Sequence, residues 1–418
     1  MLRARIFGTL AVTWAVCGCG AAQQGNNAES AASSGGDESG TKPKLDFAAM
    51  LEREVEALKP ASFATKDGSV TGTIEAKSAP KVTHHEGFTE VAAPIGSEVA
   101  VSCMVYDNDL RPGASLSAVL ASVGQDGKAK VERVAIDAVD AFADAGALYA
   151  TLLYKSQQNG KDLVGTVKLF FHGSFEHGVM CLHDEVGYRK SFARITRGVV
   201  ESLKYPIRLG KTRMVEVAKV SLGEQPVGYV QQVVAEASNG VILSVSSLAR
   251  FLPVAPAEIA TSDSVTILGL DADRNIVTGD FTVYEGATEA LAIELERKDK
   301  GRYHYKGTAH QKPIEGDFTS KDKKGLLAPV ARDKQIAELA RAKKSKTLKF
   351  EEYSPDSDPS KPEAVSAALD GATRRVKVTF GEIVLDEQLA EDGFPQKGEV
   401  HIGKHTLVLD RLVRTGSL

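Results

Sequence analysis

The chain has 418 residues, of which 43% are hydrophobic and 25% charged, and its formal net charge at pH 7 is -4. This length exceeds one ordinary hydrophobic core and predicts two domains. The slightly acidic balance argues against a nucleic-acid partner, because nucleic-acid-binding domains carry a basic footprint.

The amino terminus is typical of an export signal. Arg3 and Arg5 precede an apolar run of about ten residues, which matches the apolar core of a signal peptide. The run ends in Val16-Cys17-Gly18-Cys19, which resembles a bacterial lipobox: an aliphatic residue stands three positions, and a small residue one position, before a cysteine. The resemblance implies that residues 1–18 are removed and that Cys19 is diacylated. Cys17 is an alternative acceptor, and an ordinary secretory signal with incidental cysteines is the alternative to a lipobox.

A polar segment follows the proposed acylation site. Residues 19–44 are rich in Ala, Gly, Ser, Gln and Asn and contain no bulky apolar side chain. Such a composition buries too little surface to fold and predicts a flexible tether. The residue after the acylated cysteine is Gly20 rather than Asp, which favours the outer membrane, with the chain facing the periplasm or the cell surface.

Residues 45–207 are predicted to form an α+β domain. Apolar residues recur at helical spacing over 47–58, 115–123 and 188–203. The clearest of these helices is 188–203, where Tyr188, Phe192 and Ile195 begin one apolar face. Alternating apolar residues predict strands at 70–76, 98–106, 129–137, 147–155, 163–171 and 178–183.

The order of these elements resembles the PsbP-like α-β-α sandwich. The segments 148–154, 165–170 and 192–203 carry the resemblance through their pattern of apolar residues. It implies an antiparallel sheet with flanking helices. Because that family consists mainly of binding and assembly proteins, it also implies a binding role and supplies no catalytic residue.

Residues 208–418 are predicted to form a second, β-rich domain. From residue 212 the apolar period changes to two, and tight turns separate long strands, which is typical of a curved antiparallel sheet. One helix is predicted at 331–345, and we expect one or two helices in the whole domain. This architecture is similar to the half-barrel of LolA-like lipoprotein carriers, whose members hold lipid chains on a concave apolar face.

Two cysteines and three histidines are the remaining candidate site residues. If Cys17 is removed and Cys19 acylated, two cysteines are left, and the alternatives are a disulfide and two buried free thiols. They are Cys103 and Cys181.

Histidine side chains are ligands for zinc and copper. The weak candidates are His172, His177 and His183. The last lies about six residues, on the order of 20 Å of strand, from the turn that holds the other two. We therefore predict no metal and no other cofactor, and we interpret the cluster as a polar hairpin with a structural histidine.

The sequence contains no Gly-x-Ser-x-Gly elbow, phosphate-binding loop or dinucleotide fingerprint. We therefore expect a lipid-anchored cell-envelope protein that acts as a non-enzymatic binding or interaction module. Its expected partners are the membrane, through its acyl chains, and either a protein or an apolar ligand. The alternatives are a carrier of an apolar ligand or lipid in the second domain, and an envelope metalloprotein or hydrolase.

Overall fold

A computed structural model of the protein describes residues 47–417, except for 97–98, 108–109, 125–128, 143–144, 159–160, 300 and 403–404. The signal peptide predicted over 1–18, the acylated Cys19 and the tether predicted over 19–44 lie outside the described residues.

The protein is mostly β, and the expected α+β class was wrong. Strands make up 61% of the described chain and helices only 12%. The α+β prediction, a PsbP-like sheet with flanking helices followed by a curved sheet, gave too much weight to helical spacing. The segment predicted as a helix over 47–58 shows this, because its helix ends at Leu51.

Four helices are found among the described residues: α1 (Phe47–Leu51), α2 (Pro112–Gly124), α3 (Arg189–Ser202) and α4 (Pro329–Arg341). None of them has the length and apolar character that a membrane span needs, within the described part of the chain.

The first two sheets lie in the amino-terminal half of the chain. A hairpin is formed by β1 (Lys59–Ala64) and β2 (Thr71–Ala76). The seven-stranded antiparallel sheet has the order β3-β4-β5-β9-β8-β7-β6. Its strands are β3 (Lys81–His84), β4 (Phe88–Pro94), β5 (Ala100–Tyr106), β6 (Ala129–Phe142), β7 (Ala145–Gln158), β8 (Lys161–Gly173) and β9 (Gly178–His183).

The third sheet has fourteen antiparallel strands, in the order β17 to β10 followed by β23 to β18. The strands are β10 (Lys211–Leu222), β11 (Gln225–Glu236), β12 (Ile242–Ala255), β13 (Glu258–Leu270), β14 (Ile276–Glu285), β15 (Thr288–Asp299), β16 (Arg302–Ala309), β17 (Lys312–Thr319), β18 (Lys346–Glu352), β19 (Glu363–Asp370), β20 (Arg375–Phe380), β21 (Ile383–Leu389), β22 (Pro395–Ile402) and β23 (His405–Gly416).

The fourteen-stranded sheet curls on itself. Neighbouring strands lie about 4.8 Å apart, so in a flat sheet β14 and β17 would be ~14 Å apart. Phe281 of β14 and Phe318 of β17 nevertheless both contact Tyr353, with ring centroids at 5.3 Å and 5.0 Å. At the sheet edge, the Ser320 hydroxyl donates a 2.9 Å hydrogen bond to Glu351 of β18. Both contacts bring the two ends of the sheet towards each other.

The concave side of this sheet is largely filled by side chains and by α4. Val330 at the start of α4 packs with the aromatic cluster of β14 to β17, while Ile336 packs with β19 to β21. One helix therefore joins the two halves of the interior.

The seven-stranded sheet packs against β11 to β13 of the large sheet through a shared apolar core. Leu148 and Phe171 from the small sheet meet Tyr229 and Phe251 from the large one. The Asp263 carboxylate accepts hydrogen bonds from the first turn of α2, at 3.0 Å from the nitrogen of Gly113 and 2.8 Å from that of Ala114. An acidic side chain from one sheet thus caps a helix that packs on the other, where the helix dipole favours negative charge.

A similar cap from a distant segment fixes α3 on the opposite face of the small sheet. The Glu54 carboxylate accepts hydrogen bonds from the nitrogens of Lys190 (2.8 Å) and Ser191 (2.7 Å). Burial opposes the charge on Glu54, but hydrogen bonds from the Ser191 side chain and from the backbone lower its pKa. The chain after Leu51 therefore leaves the helix to serve as this cap, which explains why α1 is short.

A disulfide lies beneath α3. Cys103 of β5 and Cys181 of β9 stand directly opposite each other in the paired strands and are bonded. Both are fully buried and contact the same core as Phe192 and Ile195 of α3.

Replacing both cysteines by alanine is expected to lower the free energy of unfolding by about 4–5 kcal/mol, because the bond closes a loop of 78 residues in the unfolded chain. Denaturant titration of the C103A/C181A variant and the wild type measures the difference. Reductant should shift the wild type towards the variant and leave the variant itself unchanged. Alkylation of both thiols in the native, unreduced protein would contradict the bond.

Candidate functional site

The histidines singled out from the sequence fall into two separate places. His172 at the end of β8 and His177 before β9 lie together, with ring centroids 5.6 Å apart. His183 lies at the other end of β9, where its Nδ1 is 2.9 Å from the carbonyl oxygen of Ala100 and its ring packs against Phe192.

The His172–His177 pair is buried and electrically neutral. Burial lowers the pKa of His172 to about 4, and burial together with the neighbouring His172 lowers the pKa of His177 to about 3. Nε2 of His172 lies 3.3 Å from the carbonyl oxygen of Phe142, so Nε2 carries the proton and donates it. Burial also lowers the pKa of His183, although the Ala100 carbonyl opposes this.

The hairpin around these histidines is held together by its own polar groups. The Ser174 hydroxyl accepts hydrogen bonds from the nitrogens of Glu176 and His177, both at 3.1 Å. The Glu176 carboxylate in turn accepts hydrogen bonds from the nitrogens of Arg208 and Leu209, both at 2.8 Å. The turn therefore anchors the connection that leads from the small sheet into the large one.

Nothing in the described residues brings a third ligand to the histidines. No three His, Cys, Asp or Glu side chains converge on a point that could hold a metal ion in the described ranges. The rings of His172 and His177 pack against each other inside the hairpin. The candidate site therefore lies in another part of the described chain.

An open cleft of about 840 Å³ lies beside α3. The disulfide half of the small sheet is covered by α3, whereas the outer half, formed by β6 and β7, extends beyond the helix. One wall is the exposed edge of α3, the floor is β7 and β8, and the other wall is β6. Its lining residues are Arg133, Ala135, Asp137, Ala138, Asp140, Phe142, Tyr149, Ala150, Thr151, Leu153, Lys168, Leu169, Arg189, Phe192, Ala193, Arg194 and Arg197.

Strand alternation explains the floor of this cleft. In β7, Leu148, Ala150 and Leu152 point into the core shared by the two sheets, so Tyr149, Thr151 and Leu153 face the cleft. The Tyr149 hydroxyl is 3.3 Å from the Thr196 hydroxyl of α3, and burial raises the pKa of Tyr149. The floor is therefore apolar, with one aromatic ring held in place by the helix.

The walls are basic, and two of their arginines have no partner. Arg194 is paired with Glu75 at 2.9 Å, and Arg197 with Glu201 at 2.7 Å. Arg133 of β6 and Arg189 of α3 form no hydrogen bond or ion pair with any other described residue. Both are exposed to the cleft.

Lys168 adds a third cation deeper in the cleft. Its ammonium donates a hydrogen bond to the carbonyl oxygen of Glu185. Burial lowers the pKa of Lys168 to about 8, and the nearby carboxylates of Asp184 and Glu185 oppose this shift. Lys168 therefore remains mostly protonated at neutral pH.

Sequence reasoning missed this cleft. Arg189, Arg194 and Arg197 lie on the polar side of an amphipathic helix, and Arg133 stands in a strand of alternating apolar residues. The available signal was that β6, α3 and β8 carry the basic residues Arg133, Arg189 and Lys168, but the significance of these residues depends on where α3 lies.

No family model matches the sequence, and no curated protein matches it. A β-barrel-like protein of the domain of unknown function DUF1849 from Brucella abortus is similar in part, with 11% identity and a TM-score of 0.37 over 50% of this chain and 98% of that one. A structure from Bacteroides thetaiotaomicron has 13% identity and a TM-score of 0.23, covering 39% of this chain and 54% of that one. Both likenesses are too loose to assign a fold or a function to this chain.

The buried histidine pair makes stability depend on pH. The unfolded chain binds protons near the ordinary histidine pKa of 6.5, whereas the folded pair stays neutral down to about 4 for His172 and about 3 for His177. Protons therefore bind preferentially to the unfolded state as the pH falls from 6.5 to 4, and each histidine lowers the free energy of unfolding by about 1.4 kcal/mol per pH unit.

The expected outcome is that H172Q and H177Q each flatten this decline, as measured by denaturant titrations at pH 6.5, 5.5 and 4.5. The matched control is H85Q, which replaces an exposed histidine outside the buried pair. An unchanged slope in H172Q would mean that this histidine titrates normally in the fold.

Proposed function

We propose that the protein is a non-enzymatic binding protein, held at the cell envelope by acyl chains on Cys19, whose cleft beside α3 binds a ligand with an anionic group and an apolar body. The observation that carries the proposal is the pair of unpartnered arginines, Arg133 and Arg189, on the walls of an apolar-floored cleft.

The arginines supply the recognition of the anion. A guanidinium group presents planar, forked donors that match carboxylate, sulfonate and phosphate oxygens, often in pairs. Because neither Arg133 nor Arg189 forms an ion pair with a carboxylate in the described part of the chain, their charge remains available to a ligand. Lys168 adds attraction from the floor.

The floor supplies the recognition of the apolar part. Tyr149, Leu153 and Phe192 expose apolar surface to the cleft, and the Arg197 guanidinium lies 5.3 Å from the ring of Phe142 at one end. The volume of about 840 Å³ falls within the roughly 300–1,000 Å³ of small-molecule sites.

Acidic residues limit which ligands fit. Asp137 and Asp140 of β6 also line the cleft. The Asp137 carboxylate accepts a hydrogen bond from the Thr151 hydroxyl, and that of Asp140 from the nitrogen of Ala141. Their charge disfavours an anion in the centre of the β6 wall, so the anionic group is expected near the arginines and the apolar body over Tyr149.

The interior of the large sheet is a poorer place for an acyl chain. Helix α4 and the aromatic cluster around Tyr353 occupy much of its concave side. The space that remains next to β11 to β14 is about 240 Å³ and is lined partly by serine and threonine. We therefore place the apolar part of the ligand in the cleft beside α3.

Acyl chains on Cys19 would hold the cleft beside α3 close to a membrane surface. Two or three acyl chains hold a protein stably on a membrane, whereas one chain does not. The tether predicted over 19–44 lets the cleft reach ligands near that surface while the body stays in the aqueous phase. We propose the outer membrane, on the basis of Gly20.

An aromatic sulfonate tests the cleft directly. Purified C19S protein, which carries no acyl chain, is titrated with 8-anilinonaphthalene-1-sulfonate, and dodecanoate serves as a competitor. R133A and R189A should each weaken binding about tenfold or more, since a charge-assisted hydrogen bond contributes ~1.5–3 kcal/mol. The matched control is R302A, at an exposed arginine of β16 outside the cleft.

The proposal requires that added salt weaken the wild-type affinity, because the attraction is electrostatic. Equal dye binding by R133A, R189A and R302A would contradict it. Turnover of a substrate by the purified protein, lost on replacing one polar residue, would overturn the non-enzymatic assignment.

Acylation of Cys19 is tested by replacing the two candidate cysteines separately. C19S should move from the membrane fraction to the aqueous fraction, because the chain then lacks its acyl chains. C17S is the matched control and should remain with the membrane. Release of C17S, or retention of C19S together with an acyl mass increment, would contradict the assignment of Cys19.

A further inference from the structure

A second cavity lies inside the fourteen-stranded sheet, apart from the cleft beside α3. It is bounded by the concave face of β11 to β14 on one side and by residues 353–356, which follow β18, on the other. Its volume is about 240 Å³. This is smaller than the roughly 300–1,000 Å³ of sites for drug-sized ligands, so its occupant has about the size of one sugar ring.

Polar side chains form a continuous patch on the floor of this cavity. Gln232 pairs directly opposite Ser246, and Ser246 directly opposite Thr266, in three adjacent strands. Ser244 and Ser264 lie on the same face, one step away from this row. The patch lies beside the apolar side chains of Leu268, Phe281 and Leu291, which line the same cavity.

The hydrogen-bonding capacity of the patch is unused within the protein. None of the five side chains is hydrogen-bonded to another side chain or to the backbone in the described part of the chain. Ser244 is only 3% exposed, yet its hydroxyl borders the cavity. Ser244 is the buried member of the patch, and the other four side chains are half-buried. Their unused donors and acceptors are therefore available to a hydrogen-bonding occupant of the cavity.

The remaining lining identifies the chemistry of that occupant. Glu352 on the facing side is paired with Arg332 of α4, so its charge is already compensated. Phe281 and Tyr353 meet edge to face, with ring centroids 5.3 Å apart, and present apolar surface beside the hydroxyl patch. The site therefore combines many neutral donors and acceptors with an aromatic wall. The Asp356 carboxylate on the facing side, which accepts a hydrogen bond from the Ser354 hydroxyl, can also accept one from a hydroxyl group of the occupant.

We propose that this cavity binds a neutral, hydroxyl-rich molecule of the size of a monosaccharide. Gln232, Ser244, Ser246, Ser264 and Thr266 exchange hydrogen bonds with its hydroxyl groups, and the rings of Phe281 and Tyr353 cover its less polar face. This site is independent of the anion-binding cleft and differs from it in the chemistry of its ligand.

The test uses D-glucose, N-acetyl-D-glucosamine and myo-inositol as probes, with binding to the full chain followed by saturation-transfer NMR. At least one probe should bind saturably to the wild type. T266V should weaken that binding about tenfold, because it removes one hydroxyl without changing the shape of the side chain. S246L, which fills the cavity, should abolish binding.

Two controls separate this site from other effects. T278V removes a hydroxyl from an exposed threonine on the outer face of β14 and should bind the probe like the wild type. R133A and R189A should also bind it like the wild type, so failure of the cleft proposal leaves this result intact.

Thermal unfolding gives a readout that does not depend on binding. If the Thr266 hydroxyl lacks a partner in the free protein, T266V unfolds at a temperature equal to or above that of the wild type without sugar, and it loses the upward shift that the bound probe gives the wild type. A lack of binding by all three probes, or wild-type binding by both T266V and S246L, would overturn the proposal.

Discussion

The packing of the seven-stranded sheet against β11 to β13 constrains the rest of the molecule. The two sheets approach closely: the ring of Tyr229 lies where a side chain at Gly146 would have to be, with only 2.3 Å to an added Cβ. This contact buries backbone groups of Gly146 and Gly173 in the small sheet, and a side chain of the large sheet forms hydrogen bonds with them. The Gln231 side chain accepts a hydrogen bond from the nitrogen of Gly146 and donates one to the carbonyl oxygen of Gly173, both at 2.8 Å. A buried amide or carbonyl without a partner would cost free energy, so Gln231 allows two sheets to share one core.

One face of the small sheet packs against the large sheet. Helix α3 and the β1–β2 hairpin pack on the other face. They cover the strands that carry the disulfide, where Phe192 and Val199 of the helix pack. Helix α3 contacts the end of β6 at Phe142, and the rest of β6 borders the basic cleft. The candidate site is therefore a consequence of a sheet that is wider than the helix lying on it.

Local patterns in the sequence locate many elements, because alternation and turn residues act within a few positions. The strand at 178–183 and the helix at 188–203 are examples, since each has a strong apolar period of its own. The helix predicted over 47–58 was wrong beyond Leu51 for a non-local reason: helical spacing at 52–58 is outweighed by the hydrogen bonds that the Glu54 carboxylate accepts from the start of α3, 136 residues later. The cleft and the hydroxyl patch were missed for the same reason. The role of Arg133 depends on the position of α3, and that of Ser244 depends on the curl of the sheet.

The order of strands in the large sheet has a consequence for how the chain reaches its final state. The first strand, β10, pairs on one side with β11 and on the other with β23, which ends at Gly416. Eight strands from β10 to β17 form a simple meander of neighbours, and so do the six from β18 to β23, but only the β10–β23 ladder joins the two groups within the sheet. We expect a ladder between such distant segments to form late, because the entropy of closing a long loop is lost before the contacts between the strands can stabilise it. We therefore expect the two meanders to form before they become one sheet, which requires β23 to pair with β10.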